Sequence, residues 1–213
     1  MSAPSAARAN RGRRSARPSG DDREQAILET ARRLLEEKPF TEISVDDLAK
    51  GAGLSRPTFY FYFPSKEAVL LSLLDPLITR ADTGFARVSE LRSDPPKAFR
   101  AGIHTFFDAF ASQPVMGRVG AQALSTSPEV RALWTQFMQR WIDQTEALIN
   151  SERERGAAPE TIPARELAIA LNQMNERAMV AALTGESASV PANQMVETLA
   201  HIWMSSIYGD RLL

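Results

Sequence analysis

Cysteine is absent from the 213 residues, so neither a disulfide framework nor a thiolate metal site can be built. Histidine occurs only at His104 and His201, far apart in the chain and too few for a histidine metal cluster. No apolar run approaches the roughly 20 residues of a bilayer-spanning helix. The Arg-rich N-terminus has no apolar stretch behind it to make a secretory signal. A phosphate-cradling glycine loop, an acidic metal motif and a paired nucleophile and base are all missing, so no catalytic residue, metal or cofactor is assigned. Strand-like alternation is also missing, and no segment repeats. What remains is an all-α, non-enzymatic chain expected in the cytoplasm, with 44% apolar residues to build a core.

Net charge is only −1, which by itself argues against a nucleic-acid partner. Its distribution argues the other way. Residues 1–20 carry Arg8, Arg11, Arg13, Arg14 and Arg17 and no acid, leaving 20 basic against 26 acidic side chains in the rest. A disordered basic arm on an acidic body suggests phosphate contact, through Arg13, Arg14 and Arg17 in particular, although such tails also serve simply as solubilising ends.

Behind the arm, Asp21 and Glu24 form a capping-box pattern for a first helix whose inner stripe is Ile27, Ala31, Leu34 and Leu35, stopped at Lys38-Pro39. Ser44 with Asp47 repeats that pattern for a second helix. Gly53 can take the positive φ of a sharp turn, and Ser55 caps a third helix with Pro57 in its first turn. Two short helices joined so tightly predict a helix-turn-helix over residues 21–65, whose last helix would enter a major groove. Phe59 and Phe63, four residues apart, should face inward. Arg56, Thr58, Tyr60, Phe61 and Tyr62 would then lie on the DNA side, with Arg56 placed for a guanine edge. Thr58 suits a thymine methyl or a phosphate, and the hydroxyls of Tyr60 and Tyr62, the ammonium of Lys66 and the helix starts at Ser44 and Ser55 suit phosphates. Between residues 40 and 66, Glu42, Asp46 and Asp47 balance Lys50, Arg56 and Lys66, so the arm is expected to supply much of the attraction to DNA.

Residues 66–213 read as a helical body, beginning with a long helix over 66–91. Phe99, Ile103, Phe106 and Phe110 share one helical face. Trp134, Met138, Trp141 and Thr145 form a second stripe. Asn172, Asn175 and Met179 share a third face, giving about nine helices in all. Such stripes are usually plain core, and the asparagines can equally face solvent or bond across a helix interface. Large aromatics around a few amides and a hydroxyl also suit an elongated apolar ligand with one or two polar handles. The last helix carries Met195, Leu199 and Ile202 beside Val196, Ala200, Trp203 and Ile207, more apolar surface than one contact requires. The last two helices are therefore the expected homodimer seam, which would set two recognition helices about 34 Å apart or a multiple of that. On residues alone, an architectural DNA protein and a helical carrier or enzyme remain competing readings.

The run Thr58-Phe-Tyr-Phe-Tyr-Phe-Pro-Ser-Lys-Glu67 within Ser44 to Leu71 resembles the DNA-binding segment of TetR-type repressors. Further pieces resemble the ethionamide-resistance branch of that family. They include Trp134-x-x-Phe-Met-Gln-x-Trp-Ile142, Arg155-Gly-Ala-Ala-Pro159, Ala170-Leu-Asn-x-Met-Asn-Glu-Arg177 and His201-Ile-Trp-x-x-Ser-Ile-Tyr-Gly209. The resemblance implies an all-helical homodimer that binds double-stranded operator DNA and is released by a small apolar effector. It also implies control of a neighbouring flavin-dependent monooxygenase gene of the Baeyer–Villiger type. A different target, such as an efflux or lipid-metabolism gene with another effector, stays open beside that. The branch's effector pocket maps onto Phe99, Phe106, Phe110, Trp134, Met138, Trp141, Thr145, Asn172, Asn175 and Trp203. Phe99 stands where those relatives carry Trp, and Gln144 where they carry Tyr, so the mouth of the pocket is expected to differ.

Overall fold

A computed structural model describes residues 20–88 and 94–209. Arg13, Arg14 and Arg17 of the basic arm lie outside the described residues, as does the end of the helix expected to run to residue 91. Among the described residues there are nine α-helices and no strand. They are α1 (Gly20–Glu37), α2 (Val45–Gly51), α3 (Arg56–Tyr62), α4 (Lys66–Val88), α5 (Pro95–Ala111), α6 (Pro114–Thr126), α7 (Pro128–Glu154), α8 (Ala164–Thr184) and α9 (Ala192–Tyr208).

Local chemistry accounts for most of the boundaries. Ser44 and Asp47 exchange both bonds of a capping box at the start of α2. The side chains of Ser55, Asp94 and Ser127 each accept a backbone N–H in the first turns of α3, α5 and α7, and each of these helices has Pro in its opening turn. Gly53 has φ 68°, a region where a Cβ would be strained, and this closes the turn between α2 and α3. One boundary departs from expectation. Helix α1 already includes Gly20, the first described residue, so Asp21 sits within the helix, with Asp22 beside it, where their charge complements the helix dipole.

Helices α1 to α3 form a head whose core does not end at the head. Ile27, Leu34, Leu48, Phe59 and Phe63 belong to one continuous apolar cluster with Leu70, Leu73 and Leu77 of α4, running on to Phe106, Phe110, Trp134 and Trp141. A second cluster joins α5, α7, α8 and α9 around Phe99, Ile149, Leu171, Trp203 and Ile207. Helix α4 therefore belongs to the head and the body at once. Pro76 inside it removes one backbone donor from the helix ladder.

Much of the apolar surface of α9 is consumed within the chain. Met195, Leu199, Ala200, Trp203 and Ile207 are buried, because α9 packs on α5 as well as on α8. Val196 and Met204 stay half-buried, and Ile202 is 38% exposed. The surface left for a partner is smaller than the sequence pattern suggests. At the far end of α9, the Tyr208 hydroxyl donates to the buried Glu152 carboxylate at 2.8 Å, and Arg155 donates to the same carboxylate, tying the α7 terminus to the end of α9. Burial and that carboxylate push the Tyr208 hydroxyl far above its ordinary pKa, so it stays a donor.

Candidate functional site

The first site is the outer face of α3. Phe59 and Phe63 are buried in the head, and this turns Tyr60 and Phe61 outward, 45% and 82% exposed. Phe61, on the outer side of a seven-residue helix, contributes little to the core and with Tyr60 presents an aromatic surface to solvent. Arg56 sits at the helix start, where its guanidinium donates to the Tyr60 hydroxyl at 3.3 Å and pairs with Asp46 at 3.4 Å. These partners, Tyr60 first, raise its already high pKa. The Ser55 and Thr58 hydroxyls lie 2.7 Å apart. Beside α3, an open groove of about 440 Å3 is bordered by Ser44, Val45, Arg56, Tyr60, Ser65 and Lys66, so two helix starts and the cation of Arg56 face the same space.

Two residues expected on the DNA side are placed differently. The Lys66 ammonium donates to the carbonyls of Phe40, Thr41 and Ile43 at 3.1, 3.4 and 2.8 Å and lies 4.7 Å from the Phe40 ring. Those carbonyls belong to a single 3-10 turn at Phe40–Glu42 and to the residue after it, so they tie the half-buried ammonium to the head at the edge of the groove. Tyr62 is half-buried against the core, with its ring edge-on to Phe61. Asp47, besides capping α2, accepts Lys38 at 3.0 Å. The Ser44 backbone N–H and the lysine hold its carboxyl well below the usual carboxylate range.

The second site is in the body, and the structure divides the expected lining between two small cavities. Phe99, Ile103, Phe106, Met138, Trp141, Asn172, Asn175 and Trp203 surround one of about 20 Å3. Phe110 and Trp134 instead border a second, also about 20 Å3, with Leu74 and Ile78 of α4, Met179 and the glycines of α6. Phe106, Phe110, Trp134 and Trp141 stand between them as a closed ring of edge-on contacts, with centroids 5.3 to 5.8 Å apart. Each cavity has room for about one water molecule, so a larger guest must move these rings. Thr145, expected in the lining, lies behind it. It is fully buried and accepts the Asn172 amide at 3.0 Å, while that amide also donates to the Ala168 carbonyl.

Each of the three indoles donates to a polar side chain on another helix. Trp134 reaches Glu176 at 2.5 Å, Trp203 reaches Asn175 at 3.1 Å, and Trp141 reaches Asp82 of α4 at 3.1 Å. Arg140 takes the other Asp82 oxygen at 3.3 Å. Burial raises the Glu176 pKa, partly offset by the indole that bonds it. Sequence reading missed Asp82. The available signal is that a buried indole N–H needs an acceptor, but nothing in the sequence says which of many carboxylates supplies it. Among the described residues there is no group of side chains placed to hold a metal, and no helix is long and apolar enough to cross a membrane.

Comparison with known proteins gives two matches along the chain. Residues 27–73 match the family described as "Bacterial regulatory proteins, tetR family", and residues 99–209 match "Transcriptional regulator EthR, C-terminal domain". The HTH-type transcriptional regulator EthR of Mycolicibacterium smegmatis is 63% identical over 210 residues, covering 98% of this chain and 97% of that protein. The protein of the same name in Mycobacterium tuberculosis is 57% identical over 211 residues, covering 98% of each. Among solved structures, NalD, the secondary repressor of the MexAB-OprM multidrug efflux pump in Pseudomonas aeruginosa, superposes with a TM-score of 0.70. It is 18% identical and the match covers 89% of this chain and 98% of that one, a likeness of fold alone.

Proposed function

Since this chain belongs to the TetR family of bacterial regulatory proteins, in its EthR branch, and is a transcriptional repressor rather than an enzyme, we propose that it binds a two-fold symmetric operator as a homodimer and lets go when a small apolar effector enters the body. The observation that carries this reading is the pairing of two unlike sites on one continuous core. An outward α3 face with Arg56, Tyr60 and Phe61 stands at one end, and at the other a small aromatic chamber walled on one side by Phe106, Met138 and Trp141 of that core and carrying the amides of Asn172 and Asn175. Helix α4 belongs to both, so a chamber that must be pried open can reset the head.

Arg56 would address a base edge, Phe61 the methyl-bearing edge of thymine, and the groove bordered by Ser44 and Ser65, with the start of α3 at Ser55, a phosphate, the arm's arginines adding attraction along the backbone. Exposed faces of α8 and α9, with Ile202, Val196 and Met204, would form the dimer seam. The effector would be an elongated apolar molecule carrying one carbonyl-like acceptor, and the site of action the cytoplasm. The regulated gene would be a neighbouring flavin-dependent monooxygenase of the Baeyer–Villiger type. DNase footprinting of the purified protein on the DNA upstream of its own gene tests this. A protected, symmetric site that fades when an apolar ketone such as 2-decanone is added supports the whole reading. Protection that no apolar ketone or ester relieves would leave a DNA binder without the switch, and equal binding to random duplex would remove both.

A further inference from the structure

We propose that Asp82 is the positioning residue by which the chamber holds α4, and with it the reading head, in the setting that fits an operator; this rests on the repressor reading above. Trp141 is 2% exposed, borders the first cavity and packs edge-on against both Phe106 and Trp134. Its indole N–H has the half-buried Asp82 carboxylate as its acceptor. The other two indoles donate to α8, through Glu176 and Asn175. Trp141 alone of the three donates to α4, to Asp82 at 3.1 Å, and Arg140 from the next position back on α7 holds the same carboxylate. A second tie, Arg80 to Asp108 at 2.6 Å, also joins α4 to the body, but Asp108 borders neither cavity.

The other end of α4 is fixed just as firmly to the head, by the Lys66 ammonium on the carbonyls of Phe40, Thr41 and Ile43. Asp82 lies roughly 24 Å further along that helix, with Pro76 between the two attachments. A cavity of about 20 Å3 cannot accept a ligand without displacing the rings around it. When Trp141 moves, its indole must either lose that hydrogen bond or draw Asp82 after it. Losing the bond costs the indole its charged acceptor at the half-buried edge of the chamber, a cost that α4 avoids by following. A displacement in the chamber then reaches α4 through Asp82, beside the direct packing of Leu74 and Ile78 on the second cavity.

The test measures affinity of the full-length protein for the DNA fragment upstream of its own gene, with no effector present. Asp82→Ala, with its fold confirmed by circular dichroism and melting, is expected to bind that fragment about 5- to 150-fold more weakly, the usual range of such coupling. Asp82→Asn keeps an oxygen for the indole and is expected to stay close to the unchanged protein. Trp141→Phe keeps a ring and removes the donor, so it should lose affinity as Asp82→Ala does. The double variant Asp82→Ala/Trp141→Phe should lose little more than either, a non-additivity that general loosening of the fold does not produce. Unchanged affinity in Asp82→Ala, or fully multiplying losses in the double variant, would overturn the proposal. Should Asp82→Ala fail to fold, Trp141→Phe decides by itself, and an affinity equal to that of the unchanged protein overturns it. If the unchanged protein shows no preference for its own fragment over random duplex, the repressor reading fails instead, a result separate from any behaviour of Asp82.

Discussion

The aromatic side chains of the head and those of the body obey opposite rules of exposure. In the head, burial of Phe59 and Phe63 pushes Tyr60 and Phe61 outward, where Phe61 remains 82% exposed. In the body, Phe99, Phe106, Phe110 and the three tryptophans are all buried, and they mostly touch one another. On the reading proposed above, one aromatic surface is already displayed before any partner arrives, while the other would become a binding site only after being forced apart. Affinity at the head depends on what its side chains touch once DNA arrives. Affinity in the chamber is the attraction between ligand and lining, reduced by the work of opening. Changes that loosen the chamber should therefore help a ligand while harming the fold.

Phe106→Ala should show the largest effect. Removing a ring from the wall between the cavities is expected to lower stability by about 3–5 kcal/mol, read by urea denaturation. Binding of 2-decanone should tighten in the same variant, because the space is already there. Unchanged ligand affinity despite the lost stability would mean that opening costs little, and the contrast between the two sites would disappear. Next in size is Arg56→Ala. Its pair with Asp46 is exposed, so melting should barely move. Discrimination at a single operator base pair should fall by about 1–3 kcal/mol, measured by competition among fragments changed one base pair at a time. A large fall in melting temperature would instead make Arg56 part of the head's scaffold.

The smallest effect expected is that of Glu176→Gln. Burial raises the folded-state pKa of Glu176 above its unfolded value, so the folded chain binds the extra proton more tightly. Stability from this group is present at low pH and declines as pH rises from the unfolded pKa through the raised one. Glutamine keeps an oxygen for the Trp134 indole and removes the charge. The variant should therefore melt slightly higher at neutral pH, by roughly 2–4 °C at most, with the gain vanishing in acid. A gain of the same size at every pH would assign it to packing.

Local rules made the head legible. Ser44, Ser55, Gly53, Phe59 and Phe63 each act on neighbours within a few residues, so the capping pattern and the four-residue spacing located the helices, the turn and the inward face. The stripes of α5, α7 and α8 were legible for the same reason, as periodicity. Helical spacing could not say how those stripes meet. That Phe110 and Trp134 border a different cavity from Phe99 and Trp203, or that Thr145 hides behind Asn172, follows from how helices cross. The same holds for Trp141 and Asp82, for Tyr208 and Glu152, and for Lys66 and the Phe40 carbonyl. These partners are 59, 56 and 26 positions apart, and sequence spacing is silent about such pairs. The place of Asp21 within α1 was missed because a capping-box pattern fits equally well inside a helix.

Nearly every polar group on the reading face is already engaged at home. Ser44 serves Asp47, Ser55 and Thr58 hold each other, and Arg56 leans on Asp46 and Tyr60. A duplex meeting this face must offer something better than what is there, or be refused. If Arg56 reads a base as proposed, bases in the wrong order would give its guanidinium no reason to leave Asp46, and random DNA would be held only by its diffuse charge. Restraint of this kind suits a protein that must drift past many irrelevant sequences before stopping at one.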